Sequence, residues 1–93
     1  MSDARAVLIA PHDDVAVALE DVAPQARVAI GSGRVVIARE AIPSGHKLAV
    51  RNIGAGEVVC KYGSPIGQAT RAIDVGMHVH VHNLQSDRLR GDR

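Results

Sequence analysis

Apolar residues along this chain fall in short clusters broken by glycine, proline or charge. Within the clusters valine and isoleucine often alternate with polar neighbours, the period-two signature of half-buried strands. Residues 6–10 (AVLIA) suit a buried strand, with residues 1–5 expected to be loose. Pro11-His12-Asp13-Asp14 reads as a turn, since proline holds φ and aspartate closes readily on nearby backbone. In the following stretch, Val15, Val17 and Leu19 alternate as in a strand, while Val15, Ala18, Leu19 and Val22 also fit a helical stripe. Periodicity leaves that choice open; the β preference of valine favours a strand. Further strands are expected over residues 34–39, 47–50, 58–62 and 66–70, with turns at Gly31-Ser32-Gly33 and Gly63-Ser64-Pro65. Little or no helix is expected.

One turn pattern recurs. Ile42-Pro43-Ser44-Gly45-His46-Lys47-Leu48 has the form aliphatic-x-x-Gly-x-x-aliphatic. Ile53 to Val59 repeats it around Gly56, and Ile73 to Val79 around Gly76. Val22 to Val28 is a degenerate copy with Gln25 in the glycine place. Each copy reads as an aliphatic anchor, a tight turn and the start of a new strand. Gly45, Gly56 and Gly76 are candidates for the positive φ such turns need.

The densest candidate chemistry lies in Met77-His78-Val79-His80-Val81-His82-Asn83-Leu84. As one strand, it would bury Val79 and Val81 and present His78, His80 and His82 on the opposite face. At roughly 3.3 Å per residue, His78 and His80 would lie about 7 Å apart and His78 and His82 about 13 Å. Neighbours two apart can share a metal ion; all three on one ion would require a strongly bent strand. An isolated His-x-His is more often a solvated sheet face, and the third histidine and Asn83 shift the balance towards a site. Residues 1–84 are expected to form the domain. Residues 85–93 (QSDRLRGDR) are expected to be a polar, frayed tail.

Composition narrows the function. Ninety-three residues make one domain, with neither Phe nor Trp and a single Tyr, so the core must be built from small aliphatic groups. Net charge is +1 and no run of Lys or Arg occurs. With only Tyr62 available for stacking, nucleic-acid binding is not expected. Nor does any apolar stretch approach a membrane span, and no signal peptide is apparent, so a cytoplasmic location is the default. The lone Cys60 excludes an internal disulfide and reads as a small core residue. Three further polar groups sit at turns or strand ends: His12 with Asp13 and Asp14, Gly45-His46-Lys47, and Lys61-Tyr62-Gly63-Ser64. With the histidine strand they offer what a polyhydroxy acid needs: cations for a carboxylate, imidazoles for protons or metal, and carboxylates to orient them. Taken singly, each also has a plain explanation as turn or surface chemistry.

Ile42-Pro43-x-Gly45-His46-Lys47, Lys61-Tyr62-Gly63-x-x-Ile66-Gly67 and His78-Val79-His80-Val81-His82-Asn83 together resemble the small subunit, or N-terminal domain, of the altronate dehydratase family. Galactarate dehydratase and the two-subunit sulfolactate sulfo-lyase belong to the same group. Residues 11–19 also resemble the family's first strand region. The resemblance implies an all-β, SAF-type β-clip domain: a small antiparallel structure of bent hairpins. It implies a role in removing water from an altronate- or galactarate-like acid, with a divalent metal, iron (Fe2+) or manganese (Mn2+). It also implies a large dehydratase subunit that carries much of the active site, so the chain is expected to be inactive alone. On this reading His46, His80 and His82 are the catalytic candidates. Lys47, Lys61, His12, Asp14 and Asn83 are the substrate-binding candidates, and His78, His80 and His82 the metal candidates. The alternatives are a non-catalytic sugar-acid-binding or interaction module, and a sulfo-lyase subunit from which sulfite leaves.

Overall fold

A computed structural model describes residues 3–8, 10, 12–31, 33–61 and 63–86. Among them there is no helix, and thus none long and apolar enough to cross a membrane. The strands are β1 (Ala4–Val7), β2 (Val15–Ala18), β3 (Arg27–Ala29), β4 (Val35–Ile37), β5 (Lys47–Ala49), β6 (Val58–Lys61), β7 (Ser64–Ala69), β8 (His78–Val79) and β9 (Leu84–Ser86). They form a six-stranded sheet in the order β4-β3-β1-β2-β5-β8 and a three-stranded sheet in the order β6-β7-β9. The valine-rich stretch after Asp14 is β2, as valine's preference argued. The all-β class holds, with one departure from a purely antiparallel domain: β1 pairs with β3 in parallel.

The recurrent turns organise this architecture. Gln25, Gly45, Gly56 and Gly76 have φ of 71°, 83°, 85° and 90°, and Gln25 is the only non-glycine at positive φ among the described residues. At each turn the fourth residue donates its N–H back to the first. Ala26 bonds Ala23 (3.1 Å), His46 bonds Pro43, Glu57 bonds Gly54 and Met77 bonds Asp74 (each 3.0 Å). That bond with positive φ at the third position defines a type II-like turn, which glycine adopts without steric penalty.

The anchors pair rather than stack in series. Val22 forms a two-residue bridge with Ile42, and Ile53 with Ile73. A shift of 31 positions carries Val22 onto Ile53 and Ile42 onto Ile73, so the repeat is a pair of two-anchor units. The same shift relates the polar residues before the first anchors. Asp21 Oδ1 accepts the Ser44 N–H (2.8 Å), and Asn52 Oδ1 accepts the Val75 N–H (2.9 Å). All four anchor side chains are buried. Val22, Ile42, Val28 and Leu48 belong to one aliphatic cluster, and Ile53, Ile73, Val59 and Val79 to another.

Two expectations about the end of the chain are corrected. Gln85 and Ser86 are not tail: they pair with Gln68 and Gly67 as part of β9. Residues 87–93 lie outside the described residues. The strand expected through His82 stops at Val79, and residues 81–83 form a turn. Val81, expected in the core, is 74% exposed, while Val79 is fully buried.

Candidate functional site

The antiparallel register of β5 and β8 sets Leu48 opposite His78 and Lys47 opposite Val79. One step further along that register, His46 faces His80. Their rings stack at a centroid distance of 4.7 Å and an interplanar angle of 12°. His78 sits diagonally, its ring centroid 5.0 Å from that of His46 and 5.4 Å from that of His80. His46 Nδ1 and His78 Nε2 are 2.9 Å apart, so one of them carries the proton between them. The His82 ring lies 5.7 Å from that of His78. Four imidazoles therefore occupy one corner of the molecule. In a straight strand the Cα atoms of His78 and His82 would stand about 13 Å apart; here the strand ends at Val79 and residues 81–83 turn.

Asn83 makes that turn. Its side chain is fully buried. The amide Oδ1 accepts the His80 N–H (2.9 Å), and Nδ2 donates to the His78 carbonyl (2.8 Å). Its main-chain N–H also donates to the His80 carbonyl (3.0 Å). Expected as a substrate contact, Asn83 has no surface to offer one; both ends of its amide are taken by protein.

Asp14 is also corrected to a scaffold role. It is buried; Oδ1 accepts from Arg51 Nε, and Oδ2 accepts the Cys60 N–H (2.8 Å). Its neighbour Asp13 is buried too, accepting the N–H groups of Ala10 (3.1 Å) and Gly63 (2.7 Å). These carboxylates tie the start of β2 to the β6–β7 hairpin, which their sequence as a local turn motif concealed. His12 is exposed on the same turn.

Burial, and then the neighbouring imidazoles of His46, His80 and His82, hold the His78 imidazole below its usual value near 6.5. The Glu40 carboxylate opposes them. Glu40 was not among the sequence candidates. Its Oε2 accepts the His78 N–H at 2.9 Å from 38 positions away, a separation that leaves no local signal. Lys47 is half-buried, and burial together with the charge of Lys61 lowers it from 10.5. The two lysines therefore share one neighbourhood. Tyr62 lies outside the described residues.

Imidazoles suit a divalent transition metal in kind. In arrangement they do not: among the described residues, no group of three or more His, Cys, Asp or Glu is placed to hold an ion. His80 stacks on His46 and on His78, and His46 Nδ1 and His78 Nε2 share a proton. As it stands, the cluster is a set of mutually packed imidazoles with one hydrogen bond, between His46 and His78. Two clefts lined by described residues lie elsewhere. One is bordered by Gln25, Val36, Arg39 and Val75, the other by Asp3, Glu20, Asp21 and Arg27.

Comparison with known proteins places this geometry in context. A family model described as the altronate/galactarate dehydratase SAF domain matches residues 4–87. Altronate dehydratase of Escherichia coli (strain K12) is 43% identical over 75 residues, covering 81% of this chain and 15% of that protein. Altronate dehydratase of Bacillus subtilis (strain 168) is 35% identical over 81 residues, covering 87% of this chain and 16% of that protein. The (2R)-sulfolactate sulfo-lyase subunit alpha of Chromohalobacter salexigens is 48% identical over 50 residues, covering 54% of this chain and 53% of that subunit. The matched region is thus a small part of the altronate dehydratases and about half of this subunit alpha.

Proposed function

The chain belongs to the altronate/galactarate dehydratase SAF-domain family, and from that premise we propose that it is the small component of a sugar-acid dehydratase. Its substrate is an altronate- or galactarate-like acid, bound between this chain and a large dehydratase subunit. The observation that carries this reading is the four-imidazole corner, with His46 and His78 joined through one proton at 2.9 Å. Dehydration of such an acid is a β-elimination. A base removes the proton α to the carboxylate, the carbon–oxygen bond at the β position breaks, and the departing hydroxide takes a proton to leave as water. The electron pair of the broken C–H bond becomes the new double bond.

His46, stacked against His80 and bonded to His78, is the group suited to take or return that proton. The neighbouring rings pass it on and away from the substrate. Burial and the neighbouring imidazoles disfavour the charged form of His78. His82 is exposed at the rim and is the further candidate for proton delivery. Lys47 and Lys61 hold the carboxylate; a half-buried ammonium beside a second cation gains most when an anion arrives. Among the described residues of this chain, no group is placed to hold the iron or manganese that the family resemblance implies.

A second reading replaces hydroxide by sulfite as leaving group. The 48% identity to a sulfolactate sulfo-lyase subunit alpha favours it.

Both readings are tested by purifying the chain with its large partner and assaying altronate, galactarate and sulfolactate, with iron or manganese added. The expected result is elimination by the mixture and none by the chain alone. His46→Ala or His80→Ala should lower kcat by about 10²–10⁴-fold while the complex still assembles. Full activity in both variants, or turnover by the chain alone, would overturn the proposal.

A further inference from the structure

We propose that Asn83 and Glu40 are positioning residues of the histidine cluster. They grip the main chain of His78 and His80 in the one course that sets the rings at 78 and 80 against His46 and that at 82 against His78, and neither touches substrate.

The argument begins with β8, the edge strand of the six-stranded sheet. In an antiparallel pair, alternate residues turn their N–H and C=O towards the partner strand. The Ala49 N–H donates to the Met77 carbonyl (2.9 Å). The odd-numbered residues of β8 therefore face β5, and His78 turns its N–H and C=O outward, where a further strand would lie. Two side chains stand in for that strand. Glu40 Oε2 takes the His78 N–H (2.9 Å), and Asn83 Nδ2 fills the His78 carbonyl (2.8 Å). Asn83 Oδ1 then takes the His80 N–H (2.9 Å), which turns the chain out of the sheet after only two residues of strand. The bend brings the His82 ring to 5.7 Å from that of His78. Asn83 is inaccessible, and its main-chain carbonyl accepts the Thr70 N–H (2.9 Å), tying the turn to the end of β7. The placement of the rings is thus decided by hydrogen bonds to their backbone.

The consequence for catalysis rests on the proton-transfer reading above; the geometric claim does not. The first test is ring-to-ring nuclear Overhauser contacts among His46, His78 and His80 in the labelled full chain. Glu40→Ala and Asn83→Ala should lose them while the amide pattern of β2 and β5 persists. Glu40→Gln, which keeps an acceptor for the His78 N–H, should retain them. Unchanged ring contacts in the folded alanine variants would overturn the inference. Should Asn83→Ala fail to fold, the Glu40→Ala and Glu40→Gln pair decides it alone.

In the assembled lyase, Glu40→Ala should lower kcat about 10–100-fold, the effect of misplacing a catalytic group by roughly an ångström. KM should stay within about twofold, and Glu40→Gln should restore the rate. A raised KM at unchanged kcat would place Glu40 against substrate and overturn the positioning role. Lost ring contacts with kcat and KM both unchanged would uphold the positioning role and overturn the proton-transfer reading of the cluster.

Discussion

Gly76→Ala combines two costs that the other turns keep apart. Gly76 has φ of 90°, a conformation that costs an L-residue about 1–2 kcal/mol. It also lies beneath the end of β4, where an added Cβ would fall 2.1 Å from the Ile37 carbonyl oxygen. That oxygen is main chain. The Arg39 N–H, two residues on, donates to the Gly76 carbonyl (2.9 Å), so the two segments cannot part without losing that bond. Overpacking of this kind costs about 1–3 kcal/mol. The combined loss should be about 2–5 kcal/mol. Gly45 and Gly56 have φ of 83° and 85°, with nothing within 4 Å of an added Cβ. Their alanine variants should lose the strain alone, about 1–2 kcal/mol. Urea unfolding followed by far-ultraviolet circular dichroism measures all three. For a domain of this length each kcal/mol corresponds to roughly 4–8 °C in Tm. Equal losses at the three glycines would refute the contact between β4 and the last turn. No loss at any would refute the positive-φ assignment itself.

Gln25→Gly should raise stability by about 0.5–1 kcal/mol, because relief of left-handed strain exceeds the added chain entropy of glycine; a lower urea midpoint would contradict this. Asp14→Ala should cost about 2–4 kcal/mol, since it leaves the Cys60 N–H without its acceptor and removes the ion pair with Arg51, while Arg51→Ala, at an exposed position, should cost under about 1.5 kcal/mol. Comparable losses for the two variants would show that the carboxylate has no scaffold role beyond the ion pair. The folded chain holds His78 below its unfolded value of 6.5, so it binds fewer protons there than the unfolded chain. Its stabilising contribution is complete above that value and is lost as pH falls below it. Tm should therefore decline from roughly pH 7 to 5, and His78→Gln should flatten the decline; an identical slope in the variant would refute the assignment.

The four turns were legible because a turn is decided within four residues. Glycine tolerates positive φ at three of them, Pro24 sets the torsion before Gln25 at the fourth, and an aliphatic anchor marks where the chain dives into the core. Even the exception followed the pattern: Gln25, in the glycine place of the degenerate copy, takes the same left-handed conformation. A gathering of histidines near residues 78–82 was legible too, because four of the chain's five histidines fall in two short motifs.

The shape of that site was not legible, because distant residues compete with local periodicity. Alternation held from His78 to His80 and failed at Val81, where the amide of Asn83 takes backbone groups that a continued strand would have used. Asp13 and Asp14 look like turn chemistry beside Pro11, yet they bond to N–H groups 50 and 46 positions away. Glu40 has no neighbour in sequence that hints at His78. Short-range torsional preference chose where the chain turns. Which strands met, and which rings gathered, was chosen by the requirement that N–H and C=O groups shut away from water find partners wherever the fold brings them.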